Sequence, residues 1–264
     1  MPTKTEGIVA VVNESGVIMP GAEAFFYPAG QNGCLLIHGI SGSPQVMKQM
    51  GEYLSGEGIT TLGVRLAGHG TRVEDLYSIT YQDWIKSAED GLSNLKQNCK
   101  NISCAGLSLG GVIALQMCYL YPEELSGIIS ICSPYELSSL KYKLVPLLKK
   151  VIKKIPAGPG AINDPEAEQV NYSYHSVSAV YELMKLTAVV REKLPLIRQP
   201  ALLFAARQDN VINRDDPTLY YEKLASEQKE LIWLKHTGHV ATLDYDREII
   251  FEKSAQFIER VGRA

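Results

Sequence analysis

Short apolar runs alternate with amphipathic segments along most of the chain. A strand buried on both faces has a nearly continuous apolar sequence, and parallel strands need a long connection, usually a helix. The alternation therefore predicts a mainly parallel sheet with helices on both faces. The strand-like runs are Cys34–His38, Thr60–Arg65, Ile102–Gly106, Gly127–Cys132, Ala201–Ala206 and Leu231–Leu234. Helical periods fit Pro44–Ser55, Tyr81–Gln97, Leu109–Leu120, Pro217–Ala225 and Arg247–Val261. The residues before Cys34 are expected to form a short antiparallel entry to the sheet.

One interval, residues 134–195, breaks this alternation because it contains no strand-like run. A sheet needs only a short crossover at this point. We therefore expect an α/β core of residues 1–133 and 196–264 with a small helical cap inserted at 134–195. The helix predicted over Val177–Lys193 offers apolar side chains either to the core or to an acyl pocket, namely Val180, Leu183, Met184 and Val190.

The first part of the cap, Pro146–Ile155, has the pattern of an amphipathic helix. One face would carry Leu147, Leu148, Val151, Ile152 and Ile155, and the other Lys149, Lys150, Lys153 and Lys154. The simpler interpretation is a core-facing apolar stripe with a solvated lysine face. The alternative is a weak contact with an anionic membrane surface, where the lysines would meet lipid charge.

Composition narrows the class of protein. The chain has 264 residues, 26 Lys and Arg, 29 Asp and Glu, and a net charge of −3, so no basic field favours nucleic acid as a partner. Neither a leader-like N-terminus nor a membrane-spanning apolar run is present, which predicts a cytoplasmic protein. The five cysteines are odd in number and lie mostly in apolar patterns, so buried thiols are expected. The sequence has no metal-ligand or nucleotide motif, and we expect no cofactor.

The strongest chemical signal is Gly106-Leu107-Ser108-Leu109-Gly110, which follows one apolar run and opens a helical segment. In the G-x-S-x-G motif, the serine lies on a sharp strand-to-helix turn that exposes its hydroxyl, and the glycines avoid collisions with neighbouring backbone. This context predicts Ser108 as a nucleophile. The backbone N–H of Leu109 would then supply half of an oxyanion hole.

The second oxyanion donor should come from the loop after the first core strand, which begins His38-Gly39-Ile40. The N–H of Ile40 is the candidate. We expect the His38 side chain to brace this loop by hydrogen bonds rather than to transfer protons.

A nucleophilic serine on this kind of turn is followed along the chain first by an acid and then by a histidine. His239 follows the last strand-like run and lies in a glycine-containing loop, whereas His236 is closer to the strand end. Asp209 ends the preceding strand and is the candidate acid. The rival acids, expected instead to be helix caps or first-turn charges, are Asp215, Asp216, Asp244 and Asp246. His69 is a chemically suitable base, but it precedes the serine.

With these residues in place, the chain resembles the bacterial carboxylesterase and monoacylglycerol lipase group of α/β-hydrolases. The resemblance rests on five motifs: HGISGSP (38–44), RLAGHG (65–70), GLSLGG (106–111), ARQDNVI (206–212) and TGHVATLD (237–244). It implies the α/β-hydrolase fold, catalytic roles for Ser108, Asp209 and His239, and oxyanion donation by Ile40 and Leu109. It further implies hydrolysis of short- to medium-chain acyl esters or monoacylglycerols through an acyl-enzyme.

Other functions remain open on the same triad. Acyl transfer or carbon–carbon bond hydrolysis would change only the acceptor or the leaving group. Prolyl aminopeptidase activity is also possible, although nothing in the sequence indicates an acidic pocket that would bind a substrate amine. A binding module would be favoured by a missing triad member, and a dehalogenase by a carboxylate at position 108, and neither condition is met.

Overall fold

A seven-stranded sheet forms the centre of the protein. The computed structural model describes residues 17–137, 140–158 and 161–263. The strands of the sheet are β1 (Phe25–Tyr27), β2 (Asn32–Ile37), β3 (Thr60–Val64), β4 (Asn101–Leu107), β5 (Leu125–Ile131), β8 (Ala201–Ala206) and β9 (Lys229–Leu234). Their spatial order is β1-β3-β2-β4-β5-β8-β9, and only β1 runs antiparallel, against β3. The predicted mainly parallel sheet with an antiparallel entry is confirmed.

Helices cover both faces of this sheet. The helices of the described residues are α1 (Gln45–Gly56), α2 (Tyr81–Leu95), α3 (Leu109–Leu120), α4 (Leu140–Lys143), α5 (Val145–Leu148), α6 (Val177–Lys193), α7 (Asp216–Lys223) and α8 (Arg247–Val261), and the short α4 and α5 belong to the connection between β5 and β8. On one face α2, α3 and α6 contribute Trp84, Val112 and Leu183 to a single buried cluster. On the other face α1 and α8 contribute Met47 and Phe257. The two apolar layers hold the strands rigidly, so the loops at the carboxyl ends of the strands have a fixed base.

The connection between β5 and β8 differs from the sequence-based expectation in two ways. The helix predicted over Pro146–Ile155 is a single turn, α5, and the stripe residues are exposed, with Leu147 at 67% and Val151 at 83%. The simpler interpretation of a core-facing stripe is therefore wrong. Residues 134–195 were also expected to lack strands, yet β6 (Lys154–Pro156) pairs antiparallel with β7 (Tyr174–Ser176). Three-residue strands are too short to leave an alternating pattern, and their partners are distant in sequence.

The predicted Val177–Lys193 helix, α6, is confirmed with the same bounds. Ser176 caps it, because its hydroxyl accepts a hydrogen bond from the N–H of Ala179. Leu183 and Val190 are buried in the main core cluster, while Val180 and Met184 are half-buried. The helix therefore joins the β5–β8 connection firmly to the core.

All five cysteines are free and buried, as expected. Among the described residues, no helix combines the length and apolar character needed to cross a bilayer.

Candidate active site

Ser108 lies on a strained turn between β4 and α3. Its φ of 54° and ψ of −116° put it in a region that side-chain-bearing residues rarely adopt, and it is only 6% exposed. Its N–H donates to Ile131 O at 2.8 Å, which ties the turn to the end of β5. Leu109 is the first residue of α3, so the helix itself offers no partner for its backbone N–H.

The glycines around Ser108 are required by close backbone packing. A Cβ on Gly106 would lie 2.1 Å from the carbonyl of Gly110, and a Cβ on Gly110 would lie 2.1 Å from Ile37 O. Such distances are far inside van der Waals contact. The steric role that the sequence motif predicted for these glycines is therefore present.

Asp209 and His239 form a hydrogen-bonded pair. The ring N–H at His239 Nδ1 donates to Asp209 Oδ2 at 2.8 Å, and both side chains are nearly buried. The other carboxylate oxygen of Asp209 accepts from the N–H groups of Val211 (2.8 Å) and Ile212 (3.2 Å). Because Nδ1 carries the proton in this tautomer, Nε2 is left as an acceptor.

The end of β5 connects this pair to the serine. Cys132, which follows β5, is buried at φ 47°, and its thiol lies in the field of the Asp209 carboxylate. Burial raises the pKa of the Cys132 thiol, and the Asp209 charge raises it further. The thiol is therefore held protonated beside the carboxylate. Ser108, Asp209 and His239 follow β4, β8 and β9 respectively, so all three lie at one edge of the parallel sheet.

The loop after β2 lies against the serine. A Cβ on Gly39 would be 3.4 Å from Ser108 Cβ, and Ser41 has a φ of 60°. His38 braces this loop as expected: the N–H of Leu66 donates to Nε2 (3.2 Å), so Nδ1 is the protonated nitrogen and donates to Gly39 O (2.9 Å). Burial lowers the pKa of His38 to about 4. The ring is therefore neutral at neutral pH, and Ile40 lies in a loop of fixed conformation.

The rival histidines lie elsewhere. His69 is fully buried, packs edge-on against His38, and has a pKa lowered well below its usual value, chiefly by burial. Its Nδ1 contacts Ala67 O at 3.1 Å. The backbone N–H of His236 donates to Asp246 Oδ2, which holds that residue at the end of β9.

The rival acids are structural, although not all of them are caps. Asp215 and Asp216 occupy the N-cap and first turn of α7, as expected. Asp246 occupies the N-cap position of α8, as expected, although neither its side chain nor that of Asp215 makes a capping hydrogen bond. Asp244 lies before this position and does not cap α8. Both carboxylates instead accept hydrogen bonds from the loop that carries His239. Motif spacing alone does not show which amides a carboxylate reaches, so these bonds could not be predicted from the sequence.

A second contact that sequence reasoning missed joins the loop after β2 to the β6–β7 hairpin. Ser41 Oγ lies 2.9 Å from His175 Nδ1, and the N–H of Tyr172 donates to Ser41 O at 2.9 Å. Ser43 Oγ donates to Val170 O nearby. The β5–β8 connection thus contacts the same loop that contains Ile40.

The part of the chain that the structure describes holds no group of three or more His, Cys, Asp or Glu side chains arranged to bind a metal ion.

Comparison with known proteins indicates the class that the sequence motifs predicted, the α/β-hydrolases. Residues 30–246 match the family described as serine aminopeptidase S33. A thermostable monoacylglycerol lipase from Bacillus sp. strain H-257 is 31% identical over 94% of this chain and 99% of its own length. A carboxylesterase from Bacillus subtilis strain 168 is 30% identical over 90% of this chain and 96% of its own length.

The fold agrees with these relatives. A structure solved for the metagenome-derived lipolytic enzymes LipS and LipT superposes with a TM-score of 0.89 at 31% identity, covering 92% of this chain and all of that one. The chain belongs to the serine aminopeptidase S33 family of the α/β-hydrolases. It is an enzyme of this superfamily, and the resemblance inferred from its five motifs is confirmed.

Proposed function

We propose that this protein hydrolyses carboxylic esters through an acyl-enzyme on Ser108, with His239 as general base and Asp209 as the acid that orients it. The observation that carries the proposal is the 2.8 Å bond from His239 Nδ1 to Asp209, at the same sheet edge as a serine held on a strained turn. This bond fixes the tautomer in which Nε2 can accept a proton.

In the proposed reaction, His239 Nε2 takes the Ser108 hydroxyl proton as Oγ attacks the ester carbonyl. The tetrahedral intermediate collapses when the imidazolium gives that proton to the leaving alkoxide, which releases the alcohol. Water then attacks the acyl-enzyme by the same route and releases the carboxylic acid. Asp209 remains ionised throughout and stabilises the imidazolium.

The N–H groups of Ile40 and Leu109 are the proposed oxyanion donors. The closeness of Gly39 to Ser108 and the position of Leu109 at the first turn of α3 support this assignment. The positive end of the α3 dipole adds to the field at the developing charge. In comparable hydrolases, one such donor contributes about 2.7 to 4 kcal/mol to transition-state stabilisation.

The proposed substrates are short- to medium-chain acyl esters or monoacylglycerols. The names of the two Bacillus relatives, a monoacylglycerol lipase and a carboxylesterase, support an ester over an amide. Acyl transfer and carbon–carbon bond hydrolysis use the same triad. Product analysis with p-nitrophenyl butyrate separates hydrolysis from transfer, because transfer to an added alcohol yields a new ester instead of butyrate.

A fluorophosphonate probe tests the nucleophile directly. We expect a mass increase on the peptide that contains Ser108, together with loss of esterase activity. The matched variant Ser108→Ala should fold normally, resist labelling and lose turnover by several orders of magnitude, as nucleophile removal does in comparable triads. An adduct on another residue, or full activity in Ser108→Ala, would refute the assignment.

We further propose that residues 134–195 act as a cap on a core of residues 1–133 and 196–264. Hydrogen bonds between this segment and the loops that carry Ile40 and His239 support this proposal. The N–H of Tyr172 donates to Ser41 O, and the N–H of Val240 donates to Ala161 O. The five free, buried thiols are consistent with a reducing compartment, so the proposed location is the cytoplasm.

The cap also carries an exposed apolar set that supports weak contact with an anionic membrane surface. We call it the cap patch: Leu144, Leu147, Leu148, Val151, Ile152 and Ile155, each at least 37% exposed. Lys150 and Lys153, both exposed, lie among these residues in sequence. Exposed apolar side chains beside cations suit an interface of acyl chains and anionic headgroups. An ester substrate held in such a surface would lie close to the cap.

A further inference from the structure

Asp244 is a fully buried carboxylate beside the loop that carries His239. It is 0% exposed and follows a single 3₁₀ turn, Ala241–Leu243. A carboxylate removed from water needs its lone pairs satisfied, and two oxygens offer about four acceptor positions. The partners that fill these positions therefore show what the residue holds in place.

Four backbone N–H groups donate to this carboxylate. Oδ2 accepts from Gly238 and Asn163, both at 2.8 Å, and Oδ1 accepts from Asp164 at 3.0 Å and Tyr245 at 2.8 Å. Gly238 is the residue before His239, whereas Asn163 and Asp164 belong to the β5–β8 connection. One side chain thus joins two segments that are about 80 residues apart in sequence.

His239 is held from its other side as well. The N–H of Val240 donates to Ala161 O at 2.9 Å. Both neighbours of His239 in the chain are therefore bonded, through Asp244 or directly, to residues 161–164. A Cβ on Gly238 would lie 3.0 Å from Ala161 O, which shows how closely the two segments pack.

The same short segment also contacts the loop that carries Asp209. Asn163 Nδ2 donates to Gln208 Oε1 at 2.9 Å and to His236 O at 3.1 Å. Gln208 directly precedes Asp209, and its own N–H donates to Thr237 O. Residues 161–164 therefore bridge the acid loop and the base loop.

We propose that Asp244 is a positioning residue for His239, and that it acts by clamping the base loop to residues 161–164. A shift of about 1 Å in a reacting group costs about 100-fold in rate, so holding the imidazole in place has a large kinetic value. Asp244 would act through the backbone of His239 and would not contact substrate. The inference rests on the proposed catalytic role of His239.

The decisive variant is Asp244→Asn, which keeps the shape but replaces one acceptor oxygen with an NH₂ group. At least two of the four amides then lose their acceptor. We expect kcat to fall about 100-fold with KM nearly unchanged, because the loss affects proton transfer and not binding. The downfield proton resonance of the His239 Nδ1–H to Asp209 bond should weaken or move.

The matched control is Asp216→Asn, at another buried carboxylate, which lies at the start of α7 and accepts from the backbone and side-chain N–H groups of Asn213. It should keep wild-type kcat and an unchanged downfield resonance. Circular dichroism and thermal melting establish the folded fraction of both variants, and kcat is normalised to that fraction.

A folded Asp244→Asn protein with wild-type kcat and the normal resonance would overturn the inference. If this variant does not fold, Asp244→Glu decides, because it keeps a carboxylate at this position but moves its oxygens by one methylene relative to the four amides. A fall in kcat with a moved resonance supports the clamp, and unchanged values refute it. Ser108→Ala separates the two proposals: if it stays active, the catalytic assignment fails, whereas an inactive Ser108→Ala beside an active Asp244→Asn refutes only the clamp.

Discussion

The turn around Ser108 and the first part of the β5–β8 connection are opposites in how tightly they are packed. Residues Leu109–Cys118 of α3 are all buried, and two glycines near Ser108 touch neighbouring backbone. Across residues 144–155, by contrast, the helical structure is a single turn, and most apolar side chains face outward. Both stretches are rich in leucine, isoleucine and valine, so apolar content does not distinguish them.

This difference shows that packing partners, and not apolar content, decide how strictly a sequence is constrained. A Cβ added at Gly106 or Gly110 meets neighbouring backbone, so the strained serine is held by its surroundings. In the cap patch an added or removed atom meets solvent. The first region is expected to be intolerant of substitution for reasons of folding, and the second tolerant, with effects only on what the surface binds.

A glycine beside Ser108 and a glycine later in the β5–β8 connection give the largest expected contrast. Gly110→Ala places a Cβ 2.1 Å from Ile37 O and should lower the free energy of unfolding by about 3 kcal/mol or more, even though alanine favours helix by about 1 kcal/mol. Gly158→Ala, in the cap, meets no atom within 4 Å and should change it by less than about 0.5 kcal/mol. Urea unfolding of both variants measures the two values. Equal effects would contradict the contrast in packing.

A histidine in the loop that lies against Ser108 and a histidine in β7 give an intermediate contrast, seen in the pH dependence of stability. His38 has a pKa of about 4 in the folded protein, below the usual value of about 6.5, because burial disfavours its charged form. Between these values the unfolded chain binds the proton and the folded one does not. The stability that His38 contributes is therefore complete above pH 6.5 and is lost as the pH falls toward 4.

We expect the unfolding free energies of wild type and His38→Asn to converge by at most about 3 kcal/mol as the pH falls from 7 to 4. His175→Asn is the matched variant in the cap. Burial also lowers the pKa of His175, but this side chain is half-buried, so the convergence should be smaller. Urea unfolding at pH 7, 5.5 and 4 measures both. If the difference in unfolding free energy between wild type and His38→Asn stays constant with pH, the titration of His38 does not contribute to stability.

The sequence predicted the tightly packed region far better than the cap. Strand β8 and helices α3, α6 and α8 have their predicted bounds, because a buried run or a periodic apolar face records its own surroundings. The prediction of a helix over Pro146–Ile155 was wrong because its last residues pair with β7, about 20 positions later. Periodicity within a short window contains no information about such a partner.

The candidate site divides in the same way. Ser108, Asp209 and His239 were predicted from local turns and chain order, which a sequence displays directly. The contacts of Asp244 with Asn163 and of Ser41 with His175 join residues 81 and 134 positions apart. Only the fold brings these groups together. The motif TGHVATLD contained Asp244, yet nothing in its spacing distinguished a clamp from a helix cap.

The smallest expected effect concerns the cap patch and its proposed contact with membranes. Leu147→Ser and Val151→Ser remove side chains that are 67% and 83% exposed, so each should change the free energy of unfolding by less than about 0.5 kcal/mol. If acyl chains cover these residues, each substitution should weaken binding to anionic vesicles by about 1 kcal/mol, roughly fivefold. Leu196→Ser is the matched control, because Leu196 is 60% exposed but lies outside the cap patch. Co-sedimentation with phosphatidylserine vesicles should be reduced for the two patch variants and unchanged for Leu196→Ser. If vesicle binding falls equally in all three variants, or if the wild-type protein does not bind vesicles, the cap patch has no membrane role. The two regions would then differ only in how tightly they are packed.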